Sequence, residues 1–400
     1  MAAGRTSTAG AVWATRAVFA GNGALFAGWV SRIPAVRDRL QADERGLGFA
    51  LLFAAIGSLV AMPLAGRLIA RFGDRVVIAM CVALCLTAYP MLAVAPNLVL
   101  LAVALFFAGA GVGLWDVAMN VAGHAVEEEA GRPLMPGFHA FWSLGSVVGA
   151  GIGALAARIG LSPLVHFLLA GALVGVLAVL AIRRLPDSRA EAAALDAQGE
   201  HHVPVVTSRP VLTDPRLIGL GVMTFCAAWA EGSANDWLAL LLADARDATG
   251  AQAAAGFAVF ATAMMLARLA GNRIVATVGR VTALRYAGFV ALAGVVVLLT
   301  VPALAAAYAG ALLWGLGVAI AFPLAMSAAG ETPGRGPAAI AMVSTIAYSG
   351  FLIGPPLIGT LAHSAGLDHA LWVVALLAAG MVVLARSARP AGVLTGSSGG

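Results

Sequence analysis

The fold class this sequence predicts is an all-α membrane protein with twelve transmembrane helices in two pseudo-symmetric six-helix bundles. Three observations predict it. The 400 residues are 61% hydrophobic and 11% charged, whereas soluble domains carry roughly 25% charged residues. Twelve stretches reach the length of about 20 mostly apolar residues that a spanning helix needs. Three glycine-rich landmarks recur in the same order half a chain apart.

The apolar stretches run over 11–32, 47–69, 76–95, 98–124, 137–158, 164–184, 215–242, 251–274, 282–301, 303–329, 338–361 and 368–386. Arg5 precedes the first of them, Arg16 interrupts it, no small-residue cleavage site follows, and further spans come after it. It therefore reads as a retained helix rather than a signal peptide. Connections are short except for the polar, proline-containing segment from Arg183 to Pro215, which divides six spans from six. The expected organisation is an N-terminal bundle over 1–184, a cytoplasmic linker over 185–214 and a C-terminal bundle over 215–389. The small polar tail, 390–400, is expected to be disordered.

The halves resemble each other. LAGRLIARFGDR at Leu64–Arg75 matches LAGNRIVATVGR at Leu269–Arg280, with Gly66 and Gly271 205 positions apart. GAGVG at Gly109 matches GLGVA at Gly315, 206 apart, and Gly145 and Gly149 match Gly350 and Gly354, 205 apart. An even number of helices per half preserves orientation, so the duplication predicts a parallel repeat.

The net charge is +5, and the basic residues include no Lys, so all 24 are Arg. They sit in short loops between apolar runs, which fits membrane orientation better than nucleic-acid binding. With both termini cytoplasmic, Arg32, Arg37, Arg39, Arg45, Arg158 and Arg246 fall outside. The other 18 fall inside, counting Arg16 and Arg268 at helix ends. That asymmetry predicts a multi-pass cell-membrane protein with both termini in the cytoplasm. Cys81, Cys85 and Cys226 lie within apolar helices and read as small packing residues. A phosphate loop needs a Lys, and the seven His residues, with His201–His202 in the linker, show no closed metal-site spacing. Neither cofactor nor metal nor enzyme chemistry is expected.

The chemistry expected is in the spans. Gly109, Gly113, Asp116, Asn120 and Gly123 follow at helical spacing and share one face. A charged residue at mid-bilayer costs about 2.5–3.5 kcal/mol on insertion scales, so it normally faces a bundle interior or a wet cavity. The next span places His139, Trp142, Ser146, Gly149 and Gly153 together. These two polar, glycine-lined faces read as the wall of a pathway. Asp116 is either a structural carboxyl bonded to Asn120 or a group that loads and releases a proton, with Asn120 orienting it or binding solute. Glu231, with Asn235 one turn on, either lines the central cavity or belongs to a structural pair; Asp236 points elsewhere and reads as a rim residue. His139, Trp142 and Tyr348 are weaker cavity candidates.

Taken together, twelve helices in two parallel halves, each with a Gly/Arg loop after its second helix, resemble the major facilitator superfamily. Gly66–Arg75 resembles its signature G-x-x-x-D-R-x-G-R-R. The loop has Ala70 where the signature has Asp and Asp74 where it has a basic residue. That departure implies a cytoplasmic gate that is weaker or wired through Asp74. DVAMN at Asp116, LMPGFH at Leu134, SLGSVVGA at Ser143 and EGSANDW at Glu231 are similar to the MosC-like, rhizopine-transport-type group. More distantly, a carboxylate one turn before an Asn resembles the fucose–proton symporters.

The resemblance implies a secondary transporter that moves a small polar, sugar-like solute by alternating access. Protons would be coupled through Asp116 and Glu231. Solute would be held by Asn120, His139, Trp142, Asn235 and Tyr348. Gating would fall to loops holding Gly66, Arg71, Gly73, Asp74 and Arg75, and Gly271, Arg273, Gly279 and Arg280. The expected partners are a small-molecule solute, protons and the lipid bilayer, with no nucleic acid, and the chain acts as a monomer. Proton-exchange efflux of a metabolite or drug is the alternative reading, and a non-transporting sensor or scaffold is a third.

Overall fold

Lipid offers no hydrogen bonds, and an unsatisfied backbone group there costs several kcal/mol, so an apolar chain crosses a bilayer as helices that satisfy their own backbone. The computed structural model describes residues 8–131, 134–185, 211, 213–332 and 335–389. The expected tail and nearly all of the expected linker lie outside these residues.

The first half contains α1 (Thr8–Val30), α2 (Ile33–Leu40), α3 (Glu44–Ala61), α4 (Ala65–Phe72), α5 (Asp74–Val94), α6 (Leu98–Ala130), α7 (Met135–Arg158) and α8 (Pro163–Ile182). The second contains α9 (Pro215–Ala245), α10 (Gly250–Val278), α11 (Arg280–Thr300), α12 (Leu304–Val318), α13 (Ala321–Gly330), α14 (Gly336–Ala365), α15 (Leu367–Ala370) and α16 (Trp372–Leu384). A 3-10 turn joins α3 to α4, so Glu44–Phe72 is one span, and Leu304–Gly330 is one span broken near Ala319. Eleven helices among the described residues are long and apolar enough to cross a membrane. α1, which carries Arg16 and Asn22, packs along α6, α7 and α8 as the twelfth span.

Local chemistry sets the boundaries. Asp43, Asn97, Ser162, Asp214 and Thr249 each cap a helix start by accepting from a backbone N–H one turn on. Gly73, Gly279 and Gly366 end helices at φ 84°, 77° and 87°, a region costly for any side chain. α8 turns Leu169, Leu173, Val176 and Leu180 outward at helical spacing and buries Phe167, Val174 and Ala178. The unexpected element is α2. It lies in the first loop, where Ile33 and Val36 are buried while Asp38 and Arg39 are exposed.

The duplication is visible in the packing. A Cβ on Gly145 would strike the Ala20 carbonyl, and one on Gly350 the Phe225 carbonyl; glycines and partners are each 205 apart. Gly109 against Ala54 and Gly315 against Phe260 repeat at 206. The helix-ending glycines Gly73 and Gly279 are also 206 apart. Arg280 therefore takes the place of Asp74, one position away from the Arg75 match that sequence alignment gives.

Contact between the halves runs along α3–α14 and α7–α10, which are mates under this duplication. At the end opposite the chain termini the halves are sealed. A Cβ on Gly48 would meet the Pro355 carbonyl and, at 3.2 Å, the Gly359 Cα. Arg37 Nη2 donates to Asp244 Oδ1 at 2.7 Å while Nη1 reaches the other oxygen, a two-pronged pair. The hydrogen bond with Asp244 holds the Arg37 guanidinium above its ordinary pKa. His363 lies 3.3 Å from Asp43. At the termini end, the anchors stay within one half. Arg75 Nε donates to the Leu185 carbonyl at 2.7 Å, Arg216 Nη2 to Ala328 at 2.9 Å, and Arg280 Nη1 to Glu331 at 2.8 Å. Arg280 holds the Glu331 carboxyl below the usual carboxylate range.

Candidate functional site

A cavity opens between the halves, lined by Phe26, Trp142, Ser143, Ser146, Glu231, Asn235, Phe257, Phe260, Ala261, Met264 and Arg268. α1 and α7 supply one wall, α9 and α10 the other. Glu231 is 16 residues into the 31-residue α9, which at 1.5 Å per residue places it about 24 Å along the helix, near its middle.

The wall from α7 is polar at fixed points. Ser143 Oγ donates to the His139 carbonyl at 3.2 Å and Ser146 Oγ to the Trp142 carbonyl at 3.1 Å. Both hydroxyl protons are thereby spent on the helix, leaving oxygen lone pairs. Trp142 Nε1 donates to Asn22 Oδ1 at 2.9 Å, and Asn22 donates onward to the Val112 carbonyl at 3.4 Å. Trp142 packs against Phe26 with centroids 6.1 Å apart.

The facing wall carries an ion pair. Arg268 Nη2 donates to both Glu231 oxygens, at 3.3 and 3.4 Å, and Arg268 Nε donates to the Ala319 carbonyl at 3.3 Å. The sequence reading put Arg268 at a cytoplasmic helix end, and the structure corrects this. α10 continues to Val278, so Arg268 stands ten residues, about 15 Å, inside the helix.

The expected solute and proton residues separate into groups. Trp142, Asn235 and Glu231 come together on the cavity. Asp116, Asn120, His139 and Tyr348 are not among its lining residues. Asn120 Nδ2 donates to the Asp116 carbonyl at 2.8 Å and reaches its carboxylate at 3.5 Å. Asp116 forms no ion pair among the described residues. Tyr348, on α14, packs against Phe322 and Phe351 and lies within electrostatic reach of both Asp116 and Glu231. His139 packs edge-to-face with Phe19, centroids 5.3 Å apart, and lies within electrostatic reach of Arg268. Asp236, expected on the rim, is only partly exposed on α9.

The pathway-wall reading of the glycines is corrected as well. A Cβ on Gly113 would strike Ser58, one on Gly149 the Ala24 carbonyl and one on Gly153 Ser31, just as Gly109 abuts Ala54. These glycines let α6 close on α3 and α7 close on α1, a small-residue seam as membrane helices use. In the gating loops, Gly66 and Asp74 are buried, Gly271 is buried, and Arg71 and Arg273 are exposed. Arg71 lies over the Phe72 ring at 5.2 Å.

Two duplicated bundles around a cavity that holds an ion pair in its wall and is closed at one end define a membrane carrier. Residues 12–336 match the Major Facilitator Superfamily, and the chain belongs to that family. It is 35% identical to an uncharacterized MFS-type transporter of Yersinia pestis over 94% of both chains. It is 34% identical to an uncharacterized transporter of Sinorhizobium fredii, over 91% of this chain and 94% of the relative. It is also 30% identical to the membrane protein MosC of Rhizobium meliloti, over 92% and 86%. The crystal structure of the nucleoside transporter NupG has the same fold, with a TM-score of 0.76 over 94% of this chain and 98% of that one, at 13% identity. The chain is a multi-pass secondary transporter of small-molecule solutes, not an enzyme.

Proposed function

We propose that this transporter moves a small hydrophilic, sugar-like solute across the cell membrane by alternating access, coupled to protons through Asp116 with Glu231 as the second acid. The observation that carries the reading is Asp116 itself. It is a carboxyl within a membrane helix, without a cation partner among the described residues, and in electrostatic reach of Tyr348 on the other half. An acid so placed exchanges its proton according to which side of the membrane it meets. The polar points of the cavity, Asn235, Ser143, Ser146 and the Arg268–Glu231 pair, support a hydrophilic cargo. The sealed end is the outer one in this reading, both termini are cytoplasmic, and the Gly66–Arg75 and Gly271–Arg280 loops gate the inner end.

Asp116→Asn keeps size and hydrogen bonding but carries no exchangeable acid proton. In proteoliposomes with an imposed pH gradient, net accumulation is expected to fall tenfold or more, while exchange of labelled for unlabelled solute persists. Accumulation equal to wild type, with the same proton dependence, would remove Asp116 from the coupling role. The Phe26, Phe257, Phe260 and Met264 side of the cavity favours a second reading, proton-exchange export of a less polar compound. That reading requires solute and proton fluxes to run in opposite directions in the same vesicles.

A further inference from the structure

The Arg268–Glu231 pair is built differently from the Arg37–Asp244 and Arg280–Glu331 pairs. Arg37 grips Asp244 with both terminal nitrogens, and Arg280 grips Glu331 in the same way. Arg268 meets Glu231 through Nη2 alone, at 3.3 and 3.4 Å, at the long end for a charge-assisted bond. Its Nη1 makes no hydrogen bond with a described residue, and the guanidinium lines the cavity. A planar guanidinium matches a carboxylate two-pronged, and here one prong is unused on a residue that lines the cavity. The same cavity is lined by Asn235, Ser143, Ser146, Phe26 and Trp142.

From this geometry we infer that Arg268 is the solute-recognising cation and that the cargo is a small hydroxylated carboxylate, for which Glu231 is the placeholder in the empty carrier. The inference rests on the transport reading above and narrows its solute. When the solute carboxylate docks on Arg268, two carboxylates compete for one guanidinium in a site of low dielectric. Glu231 then takes one proton as the solute enters. Charge balances: the ion pair plus a solute anion and a proton becomes a protonated Glu231 and a new Arg268–carboxylate pair. Proton uptake is thereby tied one-to-one to binding. The ionisable groups near Glu231 are Arg268 on α10 and Tyr348 on α14, with Asp116 also within electrostatic reach of Tyr348, Asp236 on its own helix and His139 within reach of Arg268. None of them is a second cation placed to replace Arg268.

The test is ligand-induced thermal stabilisation of the purified protein in lipid nanodiscs, since a ligand that binds the folded state stabilises it by mass action. The probes are D-gluconate against D-glucitol and glycerate against glycerol, pairs alike except at the carboxylate. The acids are expected to stabilise wild type, with apparent affinity rising up to tenfold for each pH unit lowered, and the alcohols to do so at least tenfold more weakly. Glu231→Gln should keep acid binding and lose its pH dependence. Arg268→Gln should lose acid binding, with Arg268→Lys in between because it lacks the fork. The charge-neutral double variant Glu231→Gln/Arg268→Gln answers the question if Arg268→Gln does not fold, and it too should not bind.

Equal or stronger stabilisation by the alcohols, undiminished acid binding in the Arg268→Gln or double variant, or no acid effect on wild type at any pH would overturn the assignment. If neutral solutes are carried with protons through Asp116 while acids are ignored, the transport reading stands and this one falls. If acids bind as described but no pH gradient drives them, the reverse holds.

Discussion

The Trp142 indole donates its N–H to Asn22, an amide 1% exposed inside α1, and so fixes both the α1–α7 contact and one wall of the cavity. Trp142→Phe keeps a ring but leaves the Asn22 oxygen buried without its donor, a loss of about 1–3 kcal/mol. It is expected to lower the unfolding midpoint accordingly and to weaken solute binding, and an unchanged midpoint in calorimetry would show that the bond contributes nothing. Polar residues are legible in sequence when an ionisable or amide group interrupts an apolar run, and that is how Asp116, Asn120, Glu231 and Asn235 stood out, whereas Trp142 stood out as an aromatic on the His139 face. Arg268 met the same criterion. It was counted at the cytoplasmic end of a span expected to close at 274, whereas the helix continues to Val278 with Asn272 and Arg273 exposed. The partner of Glu231 was out of reach because it comes from another helix, 37 positions on.

Among elements, the seams between helices decide where the polar wall sits. α7 meets α1 so closely at Gly145 that an added methyl would collide with the Ala20 backbone, while Gly151, six residues further along the same helix, has nothing within 4 Å of the same methyl. The two Gly→Ala changes should therefore differ in sign. Gly145→Ala overpacks a backbone seam and is expected to cost about 1–3 kcal/mol. Gly151→Ala removes helix-weakening glycine at no steric cost and should be neutral or stabilising by about 0.5–1 kcal/mol. Melting temperatures of the two variants in the same detergent check this, and two equal shifts would refute the seam. Helix number, order and the duplication could be read from apolar length and repeated glycines alone. The facing of those glycines could not, because a small residue next to an acid serves a close contact as readily as a water-filled path, and only the partner helix distinguishes them. α2 escaped for a related reason: its three buried residues, Ile33, Pro34 and Val36, are too few to show as a periodic pattern beside three charges.

For the whole molecule, the two halves meet tightly at one end and hold their anchors within themselves at the other. Asp43 and His363 are half-exposed and 3.3 Å apart across that seal, while Cys81, Cys85 and Cys226 are buried. Asp43→Cys/His363→Cys joined by a short reductant-cleavable thiol linker should hold the seal shut. Transport is expected to stop by at least tenfold and to return on reduction, and a membrane-impermeant reductant should restore it only from outside. Full activity in the cross-linked protein would mean that this end need not open. The frame that moves is duplicated, but the chemistry it carries is not: Phe26 stands 205 positions before Glu231, and no carboxylate lies at the equivalent of Asp116. The seal at Gly48 and Gly359 has a kinetic consequence. It is made of backbone against backbone, so no rotamer can loosen it by degrees. Parting it is a single event with one barrier, and openings at this end should follow one exponential, with a dwell time lengthened or shortened as a unit by whatever occupies the middle of the membrane.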